Sequence, residues 1–250
     1  MTDDPKRTDV DFGFARVSAE EKTRRVQAVF TSVASRYDLM NDLMSGGLHR
    51  LWKRFAIAAL ALPPHARVLD LACGTGDLTL RLARRQETAR LVACDRNPDM
   101  LRLARAKLED DGHLGVRPVC ADAEALPFPD ASFDAVIIGF GLRNVTHPEQ
   151  ALAEMHRVLA PSGRAVVLEF SRLRPRMLVP LYDFYSFRVL PRLGAVVAGD
   201  AASYRYLAES IRRHPDQETL AARMRASGFA DVRYYDLHGG LVAVHRGVRP

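Results

Sequence analysis

The stretch that most constrains the fold is Val68-Leu69-Asp70-Leu71-Ala72-Cys73-Gly74-Thr75-Gly76-Asp77. An apolar run ends beside a carboxylate, a turn of small residues follows, and a helical pattern begins at once. Strand, glycine turn and helix in that order open a βαβ unit, in which bare backbone can approach a ligand at a topological switch point. The alternation then continues. Apolar runs at 67–71, 89–94, 116–120, 133–139 and 165–170 read as strands. The last is apolar until Glu169, as a buried central strand should be.

Helical spacing fills the gaps between them. A helix is expected over 77–85. Another opens at Asn97-Pro98, a cap followed by the residue best tolerated in a first turn, with Met100, Leu101, Ala104 and Leu108 on one face. A third runs over 148–159, with Leu152, Met155 and Leu159 aligned. Past Pro215 come a helix over 217–227, a stop at Gly228, and strands at 232–237 and 241–246 that turn at Gly239-Gly240. The expected architecture is α/β: a Rossmann-like, mostly parallel seven-stranded sheet. Residues 17–62 read as helices placed before the sheet and 172–215 as an inserted helical lid. Residues 1–16, polar and carrying Asp3, Asp4, Asp9 and Asp11, read as a flexible tail ahead of a single domain over 17–250.

A chain of 250 residues suits one substantial core and is short for two average domains. Its net charge of +6 leaves two readings, an anionic partner or basic residues scattered over a solvated surface. Cys73, Cys94 and Cys120 form no CxxC pair, which argues against a zinc site and a disulfide framework and suits a reducing, cytoplasmic setting. No metal-ligand cluster is visible. The apolar stretch 177–197 is interrupted by Pro180, Asp183, Arg188, Pro191 and Arg192, so it cannot span a bilayer.

Two cofactor classes compete for the glycine turn. A dinucleotide fold wants GxGxxG, but Leu78 and Thr79 follow Gly76, and a diphosphate would be repelled by Asp70 and Asp77. S-adenosyl-L-methionine carries no phosphate. Its ammonium and sulfonium suit neighbouring carboxylates, which makes Asp70, Gly74 and Gly76 candidate cofactor residues. Asp95 ends the second strand, where an acid can hold both ribose hydroxyls or cap a helix. Asp122-Ala123 follows the third strand, where an acceptor and a backbone N–H can grip adenine, or merely form a turn.

Here the chain resembles the ubiquinone/menaquinone biosynthesis C-methyltransferase family. The likeness rests on Tyr37-Asp38-Leu39-Met40-Asn41-Asp42-Leu43-Met44-Ser45 with His49 and Trp52, and on Arg157-Val158-Leu159-Ala160-Pro161-Ser162-Gly163 continuing to Leu168-Glu169-Phe170-Ser171. Phe140-Gly141-Leu142-Arg143-Asn144, Ser203-Tyr204-Arg205-Tyr206-Leu207 and His214-Pro215-Asp216-Gln217 match as well. The family usually has Lys-Pro-Gly-Gly where this chain has Ala160-Pro161-Ser162-Gly163. It often has Ser at Gly139 and Gly at Cys73.

The resemblance implies a class I S-adenosyl-L-methionine methyltransferase that methylates a ring carbon of two prenylated quinols, demethylmenaquinol and a methoxy-polyprenyl-benzoquinol. It implies cofactor contacts at Thr75, Asp95, Asp122, Ala123 and Gly139. Arg143, just past the fourth strand, can stabilise a phenolate as a fixed cation or pair structurally with an acid. Tyr37, Asn144 and Tyr204 are candidate substrate contacts. His49 and His214 can orient or deprotonate the hydroxyl, or simply pack. Peripheral contact with the inner face of the membrane, association with other quinone-biosynthesis enzymes and a homo-oligomer are further expectations. The apolar and basic residues of 172–215 suit either that membrane edge or packing on the core.

Three rival functions remain. An RNA or DNA methyltransferase would carry a base-holding Asn/Asp-Pro-Pro-aromatic motif where this chain has Gly139-Phe140-Gly141-Leu142, so no nucleic-acid partner is expected. A non-catalytic scaffold would not need the Asp70, Gly74, Gly76 and Asp95 set. A methyltransferase for another lipid or small molecule is separated only by the flanking signatures.

Overall fold

The computed structural model describes residues 9–189, 191–192 and 200–250. Residues 1–8 of the expected tail, and Leu190 and 193–199 of the insertion, lie outside the described residues. The rest of the expected tail is not free. A small antiparallel ladder joins β1 (Val10–Phe12) to β2 (Ala15–Val17). It is held from outside the tail: the Phe12 ring stacks on Tyr206 with centroids 4.2 Å apart. Composition alone shows no such partner.

Three helices precede the sheet: α1 (Ala19–Val33), α2 (Tyr37–Ser45) and α3 (His49–Leu60). The Ser18 hydroxyl accepts from the Glu21 amide and caps α1. The doubly wound body follows as β3 (Arg67–Leu71), α4 (Asp77–Arg85), β4 (Arg90–Asp95), α5 (Pro98–Asp110), β5 (Arg117–Cys120), β6 (Phe133–Gly139), α6 (Pro148–Val158) and β7 (Leu159–Phe170). The insertion contains α7 (Val179–Phe184), a single π turn over Tyr185–Val189, and α8 (Ala201–Arg213). The chain closes with α9 (Gln217–Ala226), β8 (Ala230–Leu237) and β9 (Val242–Val248).

All seven expected strands lie in one sheet, ordered β5-β4-β3-β6-β7-β9-β8, parallel except for β9, which runs against both β7 and β8. Because β4 and β6 flank β3 on opposite sides, the winding reverses there, opening a crevice beyond the carboxyl ends of these strands. Strand alternation sorts the core. Val68, Ile137 and Leu168 pack with Trp52, Ile57 and Leu82 on one face. Leu69, Leu71 and Val167 pack with Leu152, Met155 and Leu220 on the other. Each such fully buried aliphatic side chain contributes about 1.5–3 kcal/mol.

One boundary differs usefully. β7 starts at Leu159 rather than 165, with a register shift opposite Phe133 and Ala135. The expected helix-to-strand turn is therefore a bulged strand start. Arg249, just beyond β9, exchanges backbone hydrogen bonds with Ser162 and Gly163 and holds it in the sheet. That pairing comes from a distant segment and leaves no local trace.

Candidate active site

Two cavities occupy the crevice and meet at a common wall. The smaller, about 120 Å³, is lined by Asp95, Asn97, Asp122 and Ala123, and by Val26, Gln27 and Phe30 of α1. The larger, about 310 Å³, is lined by Asp70, His49, Trp52, Arg143, Tyr182, Tyr204 and Tyr206 among others. Tyr37, Ala72, Gly74, Gly139, Phe140 and Asn144 border both.

The wall is built from strained backbone. Ala72 and Phe140, following β3 and β6, have φ of 52° and 58°, a region that costs a non-glycine residue about 1–3 kcal/mol. Gly141 permits their approach, since a Cβ there would lie 2.6 Å from the Ala72 Cβ.

Asp95 is the last residue of β4. Its two oxygens accept from the Gly74 and Asn97 amides, each at 2.8 Å, which pins the glycine turn to the acid. Asp70 is 2% exposed. One oxygen accepts from the Thr79 hydroxyl at 2.5 Å, and Oδ1 has no partner among the described residues. Burial pushes the Asp70 carboxyl up to about 7 and also raises that of Asp95, against its backbone hydrogen bonds. Two desolvated carboxylates, neither ion-paired among the described residues, face a glycine turn. That donor set favours a ligand bringing positive charge and hydroxyls and disfavours a diphosphate, so S-adenosyl-L-methionine fits.

Arg143 projects from the 3-10 turn after β6 and is nearly buried. Its guanidinium pairs with the buried Glu169 at 2.8 Å, donates to the Phe140 carbonyl, and lies over the Phe170 ring. Its Nε has no partner among the described residues. Asn144 accepts the Tyr206 hydroxyl at 3.1 Å. Tyr37 and Tyr204 are both kept protonated by burial, Tyr204 being pushed up to about 12.

At the floor of the larger cavity, the His49 Nε2 bonds Asp42 at 2.7 Å, while Nδ1 lies 4.0 Å from Asp77 and has no hydrogen-bond partner among the described residues. Burial lowers the His49 pKa more than Asp42 raises it, so the ring is neutral near pH 7. Lys53 bonds Asp77 at 2.8 Å. Although burial opposes it, Lys53 and Arg81 together hold that carboxyl below the usual range.

Most sequence-expected residues therefore converge, in two groups. Asp95, Asp122, Ala123, Gly74 and Gly139 line the smaller cavity, whereas Asp70, Thr75, Arg143 and Tyr204 line the larger one. Two placements differ from expectation. Gly76 borders neither cavity: it caps α4 with φ 77°, and a Cβ would lie 2.9 Å from Ala104 of α5, so its role is to let two helices close together. His214 also borders neither. It is buried, and burial first, with Arg143 next, brings its pKa down to about 3. Thr75 reaches the cavity, but its hydroxyl already donates to Asp38 of α2 at 2.7 Å.

Sequence reasoning missed the roof of the smaller cavity. Val26, Gln27 and Phe30 come from α1, and Asn97 fastens that helix through its bond to the Thr31 hydroxyl at 2.9 Å. An apolar face on α1 is visible in the sequence; what it covers is not.

With this geometry in place, comparison decides the family. The description "ubiE/COQ5 methyltransferase family" matches residues 17–249. The chain belongs to that family. It is 55% identical to the ubiquinone/menaquinone biosynthesis C-methyltransferase UbiE of Teredinibacter turnerae over 240 residues, 95% of this chain and 96% of the relative. It is also 55% identical to the protein of that name from Citrobacter koseri, covering 100% of both. Among solved structures, an S-adenosylmethionine-dependent methyltransferase of Thermotoga maritima superposes with a TM-score of 0.61 at 20% identity, covering 89% of this chain and all of that one. That likeness carries the class I methyltransferase fold to this ubiE/COQ5 member.

Proposed function

We propose that the protein methylates a ring carbon of a quinol in ubiquinone and menaquinone biosynthesis, taking the methyl group from S-adenosyl-L-methionine. The finer substrates are demethylmenaquinol and a methoxy-polyprenyl-benzoquinol. The single observation that carries the reading is the meeting of a carboxylate-lined cavity and a larger, mostly apolar one at Tyr37, Gly139, Phe140 and Asn144. Full-length similarity to enzymes named for that pathway supports it.

In this reading Asp95 holds the ribose hydroxyls, Asp122 and the Ala123 amide the adenine, and Asp70 the ammonium. Gly74 and Gly139 leave room for the ligand against backbone, and Thr75 acts through Asp38. When bound, S-adenosyl-L-methionine supplies an electrophilic methyl group on a sulfonium. The protein's task is to make the ring carbon nucleophilic and hold it in line, which can supply on the order of 7–11 kcal/mol in favourable cases. Arg143 favours the ionised hydroxyl, with its charge moderated by Glu169. Asn144, steadied by Tyr206, and the protonated Tyr37 and Tyr204 hold the ring oxygens. Among the candidate bases of the larger cavity, the neutral His49 has a free ring nitrogen that can accept a proton, whereas Asp70 is engaged by the ammonium and the protonated tyrosines cannot.

The chemistry requires the reduced ring. An anaerobic assay with labelled cofactor should show methylation of both demethylated quinols with reductant and none without it. Equal rates on quinone and quinol would overturn the mechanism. Among the described residues no helix is long and apolar enough to cross a membrane, so a peripheral approach to the inner face of the membrane is the proposed route to such lipids.

A further inference from the structure

The insertion helix α7 is apolar on the wrong side for a simple lid. Tyr182, and Tyr185 and Ser186 in the π turn, line the larger cavity, and the Tyr185 hydroxyl donates to the Met44 carbonyl at 3.2 Å. The other side is apolar too, and it faces solvent: Met177 is 92% exposed, Leu181 66% and Phe184 60%. A second element joins this surface. Phe14, at the reversal between β1 and β2 and 52% exposed, stacks against Phe187 with ring centroids 6.1 Å apart. Two segments far apart in sequence thus present one apolar face directly behind the acceptor cavity, a patch of the kind that marks an interaction surface.

Charge selects the occupant. Residues 172–192 contain Arg172, Arg174, Arg176, Arg188 and Arg192 against Asp183 alone, for a net +4 in sequence; Arg174 is offset by Asp236, and the exposed Arg188 and Arg192 are the charges beside the patch. Asp183 is itself tied to Arg212. A second copy of the chain would bring the same positive charge to the contact, whereas an anionic bilayer complements it. Exposed apolar side chains set among arginines match the interfacial band of a lipid layer.

We infer that the β1–β2 reversal and α7 together form a lipid-inserting surface, with Phe14, Leu181 and Phe184 entering the interface of an anionic bilayer, so that the acceptor cavity is loaded from the membrane through the helix that inserts. Only the activity arm of its test rests on the quinol reading. Arg172 and Arg174 serve a different purpose: Arg172 donates to the Arg212 carbonyl and Arg174 pairs with Asp236 at 3.0 Å, so both fasten the insertion to the body. Arg188 and Arg192 are exposed and lie beside the patch.

The test compares the full chain with Phe14→Ser/Leu181→Ser/Phe184→Ser and with Arg188→Glu, using vesicles of phosphatidylcholine with or without phosphatidylglycerol. The parent should float with the anionic vesicles, less so as salt rises. The triple variant should lose about tenfold or more in partitioning, and Arg188→Glu should lose partitioning only to the anionic vesicles. Cofactor affinity should be unchanged in both, which reports an intact fold. Flotation of the triple variant equal to the parent overturns the proposal. So does concentration-dependent dimerisation abolished by the triple change in a parent that ignores vesicles. In the activity arm, the triple variant should fail on a long-tailed quinol in vesicles and keep its rate on a tailless quinol in buffer. A parent that floats but methylates neither quinol would instead sink the substrate reading and leave the lipid surface standing.

Discussion

The two cavities that meet at Tyr37 are built on different principles. The smaller takes its polar groups from strand ends: Asp95 closes β4, Asp122 lies two residues past β5, and Gly139 closes β6. Each is placed by the sheet, so a short segment determines both the residue and its position. The larger is walled by helices added around the sheet. Tyr37 and His49 come from α2 and α3, Tyr182 from α7, and Tyr204 and Tyr206 from α8. Their arrangement depends on contacts between distant segments, such as Tyr206 with Asn144, 62 residues apart, and Tyr185 with Met44, 141 residues apart. If the smaller cavity holds the methyl donor and the larger the acceptor, as proposed, the donor's polar partners are set by the sheet while the acceptor's surroundings come largely from the additions.

The sharpest way to break this division is at Arg143, which belongs to the wall and to the core at once. Arg143→Met alone strands a buried Glu169 and should cost about 3–5 kcal/mol of stability. Adding Glu169→Gln removes the charge while an acceptor for the Phe170 amide remains, so much of that stability should return. Activity should not return if Arg143 stabilises the ionised hydroxyl. Denaturant melts and turnover on the double variant measure both. Recovery of the rate along with the fold would make Arg143 purely structural.

Asp70 offers a comparison by pH. Its carboxyl is raised to about 7 by burial, so its contribution to stability is fully present below about pH 4 and is lost as pH rises through 7. Each pH unit in that window corresponds to about 1.4 kcal/mol for one proton. The ligand-free parent should therefore lose a few kcal/mol between pH 4 and 7 relative to Asp70→Asn. Saturating cofactor, whose ammonium favours the ionised acid, should flatten the difference. Parallel melting curves for the two proteins across this range would exclude a strongly raised Asp70.

How much of this was legible in the sequence follows the same division. All seven strands and the glycine turn are readable because alternation, β-branched runs and caps are local. Asp95 and Asp122 follow from their distance to strand ends. The partners are not readable: nothing near Arg143 in sequence indicates Glu169, and nothing near Thr75 indicates that Asp38 takes its hydroxyl. Gly76 resembles a ligand glycine because a turn glycine and a helix-packing glycine look alike until Ala104 is placed beside it. The β1–β2 ladder escaped because three-residue strands carry little pattern and are held here by Tyr206 and Glu209, from the far end of the chain.

Within the smaller cavity, Asp95→Ala should weaken cofactor binding by about 1.5–3 kcal/mol, since it removes hydrogen bonds to a charged acceptor. It also releases the Gly74 and Asn97 amides, so part of the loss is a looser turn. Asp95→Asn, which keeps one acceptor oxygen, should lose less. The ratio of rates on the two quinols should stay close to the parent's in either variant, because Asp95 itself does not border the larger cavity and reaches it only through Gly74. A calorimetric dissociation constant equal to the parent's would remove Asp95 from the cofactor site. A changed quinol ratio would mean that the cavities are not separable.

The smallest expected effect lies on the other side of the wall. Tyr206→Phe keeps the ring that stacks on Phe12 and deletes one hydroxyl, whose partner is the Asn144 side-chain oxygen at 3.1 Å. A single neutral hydrogen bond of this kind contributes about 0.5–1.5 kcal/mol. Asn144 keeps its longer bond to the Phe140 carbonyl at 3.3 Å, so the amide should become less well aimed without swinging away. If Asn144 positions the ring, the loss should appear as a fall of about three- to tenfold in kcat/KM for quinol, with cofactor affinity unchanged. Because the hydroxyl acts only through Asn144, Asn144→Ala should make the Tyr206 change silent in a double-mutant cycle. Additive losses would show that Tyr206 meets the substrate itself, and the acceptor cavity would then have one more direct contact than its hydrogen bonds suggest.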